Sequence, residues 1–138
     1  YGCSRFSADS DGRVCIEMHG AYPEGALKEL QREFHFDTET GKLLVRDCFT
    51  FDQAKGAEAR ENLITQIRPV AEENKVLLET EKGTCTVEVE GLEGSIEIRE
   101  YDHSNHQGVT EKVYGIAWPA AAADGRAQSR FCVTTQWK

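Results

Sequence analysis

Alternation of apolar and polar residues constrains this sequence more than any other feature. Val14, Ile16 and Met18 recur at every second position after the turn signal Asp11-Gly12. A period of two places the alternate side chains of an extended strand on one face. Spacings of three or four residues, which would indicate helices, are rare along the chain. Because half-buried strands with short turns are typical of antiparallel sheets, the sequence predicts an all-β fold.

Turn signals between the runs predict which strands form hairpins. Phe34 and Phe36 precede a short loop that ends at Gly41, and the apolar positions of 43–51 follow. Residues 76–80 and 85–89 flank Lys82-Gly83 in the same manner. With further runs at 61–68, 96–98, 113–118 and 131–137, we expect an antiparallel β-sandwich of about eight to ten strands, formed by residues 1–138 as one domain.

A few segments break the alternation. Residues 23–30 start with a proline and could form a short helix, and 120–123 could form one helical turn. The stretches 101–111 and 119–129 are the longest that look irregular, and a local function would be expected in such loops.

Net charge excludes some partners. The chain has 16 Lys and Arg against 24 Asp and Glu, which gives a formal charge of -8. Nucleic acids and anionic membranes bind through positive charge, so neither is an expected partner. The nearest approach to a basic patch consists of Lys55, Arg60 and Arg68. Two acidic residues, Glu58 and Glu61, interrupt it.

The cysteines and the length bear on compartment and cofactors. Five cysteines is an odd number, their spacing is irregular, and no CxxC pair occurs, so free thiols in a reducing compartment are the preferred interpretation. A chain of 138 residues can bury a sufficient core without a disulfide or a metal, and no cofactor is predicted. The start at Tyr1-Gly2-Cys3, without Met, suggests a mature or excised piece.

One polar segment could hold a metal. Asp102, His103 and His106 offer a carboxylate and two imidazoles at HxxH spacing. The same residue types also occur in turns for conformational reasons, which is the favoured interpretation.

Four aromatic residues could form a carbohydrate-binding surface, because a flat ring matches the apolar face of a sugar. They are Trp118, Trp137, Tyr101 and Tyr114. Most aromatics on strands lie in the core, and the better candidates for exposure are Trp118 before Pro119 and Trp137 near the end.

The sequence offers few candidates for catalytic residues. His19 and Tyr22 could act as a base and an acid, although a strand end followed by a turn explains them as well. Asp47 falls on the apolar face of its strand, where a structural role is favoured. No P-loop, GxSxG or HExxH motif occurs, so no catalytic residue is predicted.

Three segments resemble a known family. Gly20-Ala21-Tyr22-Pro23, Arg32 at the start of the next strand, and the pattern Val45-x-Asp47-x-Phe49 are similar to the C-terminal β-region of heparinase II/III-like polysaccharide lyases. The resemblance implies a β-sandwich that follows an α/α-toroid in a larger protein. Such lyases cleave uronic-acid glycans by β-elimination, with Tyr and His moving the protons, and the family habit implies export or a place in the cell envelope.

The resemblance does not supply a catalytic residue. None of the family's catalytic motifs matches a position here, and 138 residues cannot contain the toroid that forms one wall of the substrate cleft. We therefore expect a non-catalytic domain that braces the remainder of a parent lyase, which would be its main partner. Two alternatives stay open, namely a carbohydrate-binding module that contacts uronic-acid polysaccharide through exposed aromatics, and a small enzyme that uses His19, His103 or His106.

Overall fold

A computed structural model describes residues 3, 5–22, 25–52 and 58–138. Within these ranges the chain forms twelve β-strands and one 3₁₀ turn at His19–Ala21. The strands are β1 (Arg5–Ala8), β2 (Arg13–Glu17), β3 (Leu27–Asp37), β4 (Lys42–Phe51), β5 (Arg60–Thr65), β6 (Pro69–Glu72), β7 (Lys75–Thr80), β8 (Gly83–Glu90), β9 (Glu97–Ser104), β10 (Thr110–Pro119), β11 (Ala121–Ala123) and β12 (Arg126–Trp137).

Two antiparallel sheets contain these strands. The large sheet has nine strands in the order β1-β2-β3-β4-β12-β8-β7-β6, with β11 paired to β12, and the small sheet has the order β5-β10-β9. The prediction of an all-β antiparallel sandwich is confirmed. The described strands outnumber the predicted eight to ten because β1, β6 and β11 have only three or four residues each.

The core lies where the small sheet covers the large one. The Trp118 ring on β10 meets the Phe131 ring on β12 edge-on, with centroids 5.2 Å apart. The indole Nε1–H of Trp118 donates to Ser129 Oγ at 3.0 Å, which satisfies the buried donor. The buried cluster around them comprises Val45, Val76, Val87, Val89 and Ile116.

Both predicted hairpins form as expected. Strands β3 and β4 pair from Phe34 opposite Val45 down to Asp37 opposite Lys42. Strands β7 and β8 pair with Thr80 opposite Gly83 at the turn. Pro69 begins β6 at the edge of the large sheet, where a missing N–H is tolerated.

The predicted helix at 23–30 is wrong for the part that the structure describes. Pro23 and Glu24 lie outside the described residues, but Leu27 and Leu30 belong to β3, and Leu30 is buried opposite Phe49 of β4. Pairing along this sheet outweighs the weak helical preference of a short segment.

The two stretches expected to be irregular are hairpins. Residues 120–123 were predicted as a helical turn, yet Ala121–Ala123 is strand β11, which turns into β12 at Asp124 and Gly125. Both turn residues have positive φ, as the tight hairpin turn requires. Strands β9 and β10 likewise fill most of 101–111 and leave a turn in which Asn105 Oδ1 accepts the N–H groups of Gln107 and Val109.

Candidate functional site

A cleft of about 410 Å³ opens at the junction of the two sheets, between β3 and β4 on one side and β5 on the other. Its apolar wall comes from Leu27, Leu30, Phe49, Phe51 and Ala59. Its polar wall comes from Arg32, Asp47 and Glu61, with Tyr22 beside them. Concave sites of this size with a few convergent polar groups are the usual places for small-ligand binding or chemistry.

Strand register brings the polar groups together. Arg32, Asp47 and Ser129 lie opposite one another on β3, β4 and β12, and Glu61 lies opposite Trp118 on β5 and β10. The three residues of the large sheet face the two residues of the small sheet. Arg32 Nη2 donates to Glu61 Oε2 at 3.2 Å, and Trp118 Nε1 donates to Ser129 Oγ. One level of the sandwich therefore carries these two polar links between the sheets.

Arg32 and Asp47 form a bidentate ion pair. The Nε of Arg32 donates to Asp47 Oδ1 at 2.7 Å, and its Nη2 donates to Asp47 Oδ2. Asp47 is 1% exposed, so its carboxylate depends on this partner for compensation of its charge. The predicted structural role of Asp47 fits this pairing.

Glu61 is the unusual group of the cleft. It is 3% exposed, and its Oε1 is buried without a hydrogen-bond partner among the described residues. Burial, together with a hydrogen bond to Asp47 and the negative charge of that group, raises the pKa of Glu61 to about 8, although Arg32 opposes the rise. The raised pKa favours a proton shared between the Glu61 and Asp47 carboxyl groups at neutral pH.

The cluster can hold a proton near neutral pH. Among the described residues that line the cleft, the acidic groups are Tyr22, Asp47, Glu58 and Glu61, and no histidine is present. His19, the predicted partner of Tyr22, instead places its Nδ1 2.9 Å from Glu17 Oε1. The described part of the cleft thus offers carboxyl groups and a phenol, and no imidazole, as proton carriers.

Two of the four predicted carbohydrate-contacting aromatics are unavailable. Trp118, a candidate for exposure, is 0% exposed, and Tyr114 is also buried. Both lie on the inward face of β10, the central strand of the small sheet, so pairing on both sides and the large sheet below enclose them. Trp137 and Tyr101 are 78% and 46% exposed, and they belong to different sheets.

The predicted metal ligands do not converge. Asp102 and His103 are neighbours on β9 and therefore point to opposite faces. Asp102 pairs with Lys112 Nζ at 2.6 Å, and His106 lies in the turn after the strand. In the ranges described here, no three His, Cys, Asp or Glu side chains group closely enough to hold a metal ion.

Other sequence expectations have mixed outcomes. All five cysteines lie in the described part of the chain, and all are free thiols. Lys55 of the interrupted basic patch lies outside the described residues, while Arg60 pairs with Glu97. No helix in the described portion is long and apolar enough to cross a bilayer.

The sequence analysis considered Glu61 only as an acidic neighbour of the basic residues and did not identify it as a site residue. Its position in the strand pattern could have indicated burial. It is two residues before Leu63, so it shares the inward face of β5 with an apolar residue that packs on the core. A second carboxylate on an apolar face, like Asp47, is the pattern that could have identified the pair.

Comparison with solved structures relates the fold to larger enzymes. A heparinase III with methylated lysines superposes with a TM-score of 0.71 at 11% identity, over 99% of this chain and 21% of that chain. A second heparinase III structure gives a TM-score of 0.58 at 15% identity, over 97% of this chain and 21% of that chain. The resemblance to heparinase-type proteins is thus confirmed for the fold, and the chain spans about a fifth of the length of these structures.

Sequence comparisons add no relative. No protein-family model matches the chain, and no curated protein matches it.

Proposed function

We propose that this chain is the β-sandwich portion of a heparinase-like polysaccharide lyase, and that it braces a catalytic part without performing the reaction. The supporting observation is the unequal coverage of the structural match, 99% of this chain against 21% of the heparinase III chain. On this proposal the larger protein acts on uronic-acid glycans by β-elimination.

The cleft supports the non-catalytic assignment. Elimination needs a base, an acid and a group that neutralises the uronate carboxylate in one cleft. Two arginines line the cleft, and both already have carboxylate partners. Arg32 bonds Asp47 in bidentate geometry and Glu61 as well, and Arg60 pairs with Glu97, so neither is a free group for a uronate carboxylate in this cleft. Glu61 supplies a proton donor, but its Oε1 is buried within the cluster.

Because the sandwich has a buried core of its own, we expect it to keep its fold without the catalytic part. We expect the 138-residue chain to unfold in urea in one transition, with the same midpoint by circular dichroism and by tryptophan fluorescence. Fluorescence reports on the sheet interface through Trp118, which is fully buried. Non-coincident midpoints, or a chain that lacks a cooperative transition, would contradict an autonomous brace.

Carbohydrate binding is a second candidate function, and one observation favours it. Tyr101 is 46% exposed on the outer face of the small sheet, in the company of two arginines and an asparagine. An exposed ring next to polar donors is the combination that sugars require. This function is compatible with bracing, because it uses the opposite face of the small sheet from the core.

A further inference from the structure

The outer face of the small sheet carries a trough along its central strand. On this face β10 presents Gly115 and Ala117, which have almost no side chain, while the flanking strands β5 and β9 present long ones. The resulting hollow measures about 270 Å³, near the lower end of the roughly 300–1,000 Å³ typical of small-ligand sites.

Tyr101 forms one wall and leans into the trough. A Cβ at position 115 would lie 3.1 Å from Cε2 of Tyr101 and 3.6 Å from Oδ1 of Asn62. The ring therefore lies close to Gly115, where a methyl group would require it to shift by a few tenths of an ångström, and Asn62 approaches the same glycine from β5. An aromatic platform and an amide that can both donate and accept hydrogen bonds face each other across the hollow.

Two arginines stand at the other end of the trough around one carboxylate. Arg60 Nη2 lies 3.1 Å from Glu97 Oε1, and Arg99 Nη2 lies 3.2 Å from Glu97 Oε2. Hydrogen bonding from Arg60 lowers the pKa of Glu97, so the glutamate stays ionised and fixes both guanidinium groups. One guanidinium carries five N–H donors, more than a single shared carboxylate can accept.

Local charge at this end is positive in an acidic protein. The exposed charged groups at this end, Arg60, Arg99 and Glu97, sum to +1, whereas the whole chain carries -8. Glu61 also lines the trough, but it is 3% exposed and burial raises its pKa to about 8, so it adds little negative charge at neutral pH. Arginine recognises carboxylates with paired, charge-assisted hydrogen bonds. The trough thus combines a ring platform, an amide and a carboxylate-recognising pair.

We propose that this trough binds a sugar unit that bears a carboxylate, with the sugar ring against Tyr101 and the carboxylate at Arg60 and Arg99. The proposal rests on the second candidate function, carbohydrate binding, and specifies its place and its ligand class. Because the excess charge is small and exposed, binding is expected to weaken as salt concentration rises.

The test is a ¹⁵N NMR titration of the 138-residue chain with a hyaluronan tetrasaccharide, which contains glucuronate, and with cellotetraose, which is neutral. We expect shifts of the Tyr101, Asn62 and Gly115 amides, and a Kd at least fivefold lower for the hyaluronan tetrasaccharide. Tyr101→Ala should weaken binding of the hyaluronan tetrasaccharide at least tenfold. The double variant Arg60→Gln with Arg99→Gln should abolish the preference for it over cellotetraose.

Trp137→Ala is the matched control, since Trp137 is an exposed aromatic on the other sheet and its loss should leave both affinities unchanged. Gly115→Ala provides a second perturbation, because its methyl group displaces the Tyr101 ring while the strand register is kept, and it should weaken binding severalfold. The amide spectrum of each variant reports whether its fold is intact.

The possible negative results of the titration contradict different parts of the proposal. Binding that Trp137→Ala removes and Tyr101→Ala does not would overturn the trough and leave carbohydrate binding as a function. Equal affinity for both tetrasaccharides, unaffected by the arginine variants, would overturn the carboxylate assignment. Absence of shifts with either ligand would overturn the trough together with the second candidate function, and the proposed bracing role would be untouched.

Discussion

Stability should fall as the pH rises through the neutral range, because Glu61 is protonated in the folded chain. The pKa of Glu61 is raised from 4.5 to about 8 by burial and by Asp47. Between these values the native state binds a proton that the unfolded state has released. The stabilising contribution is complete below pH 4.5 and is lost as the pH rises through 8.

The magnitude follows from proton linkage. Each pH unit within the window changes the free energy of unfolding by about 1.4 kcal/mol, so the whole window is worth roughly 5 kcal/mol. Between pH 5 and pH 8 the loss should be roughly 3–4 kcal/mol, because the slope flattens near each pKa. This loss is a large fraction of the roughly 5–15 kcal/mol that stabilises a typical domain.

The assay compares wild type with Glu61→Gln by urea unfolding at several pH values from 5 to 9. Glutamine is neutral at every pH and can still donate to Asp47, so the difference between the two proteins isolates the titration of Glu61. The difference in unfolding free energy should shift in favour of Glu61→Gln by roughly 3–4 kcal/mol from pH 5 to pH 8, and by less than about 0.5 kcal/mol more up to pH 9. Glu79→Gln, which changes an exposed glutamate, should show no such shift.

A difference between wild type and Glu61→Gln that stays constant from pH 5 to pH 9 would refute the reasoning. It would mean that Glu61 is ionised in the folded protein and that Arg32 compensates two carboxylates at once. If Glu79→Gln also abolished the dependence of the unfolding free energy on pH, surface charge and not the buried pair would be its cause.

Three further substitutions test other contacts by urea unfolding at pH 7. Asp47→Asn removes the carboxylate that Arg32 binds and should destabilise the fold by about 3 kcal/mol, whereas a loss near zero would show that Glu61 replaces it. Gly83→Ala would place a Cβ 2.3 Å from the backbone oxygen of Gln136, and the strained β8–β12 pairing should cost about 1–3 kcal/mol, so an unchanged midpoint would contradict this close approach. Trp137→Ala should change stability by less than about 0.5 kcal/mol, because the side chain is 78% exposed, and a larger loss would show that it packs on the sheet.

The strands were predictable where pairing is local. In the β3–β4 and β7–β8 hairpins, the alternation and the turn residues lie within one continuous stretch, so the sequence contains both partners. The Asp124-Gly125 turn was overlooked because four consecutive alanines at 120–123 favour a helix by intrinsic propensity. Pairing of Ala121–Ala123 with β12 overrides that propensity.

The candidate site was predictable only in part. Asp47 on an apolar face was visible, but its partners Arg32 and Glu61 come from two other strands, one of them in the other sheet. The different burial of Trp118 and Trp137 could not be predicted for the same reason. Both residues lie near the end of a strand with alternating apolar and polar residues, so their local sequences look alike. Burial depends on which strand is central and on which face the second sheet covers. The local sequence determines neither of these.

The proposed bracing role is tested most directly by following uronic-acid polysaccharides with the purified 138-residue chain by proton NMR. Heparan sulfate, hyaluronan and alginate would each be incubated with the chain, and a complete heparinase acting on heparan sulfate would verify that product is detectable. We predict that no olefinic signal of an unsaturated uronate appears with the chain. An olefinic signal that grows in proportion to its concentration, and that Glu61→Gln or Tyr22→Phe removes, would contradict the non-catalytic assignment.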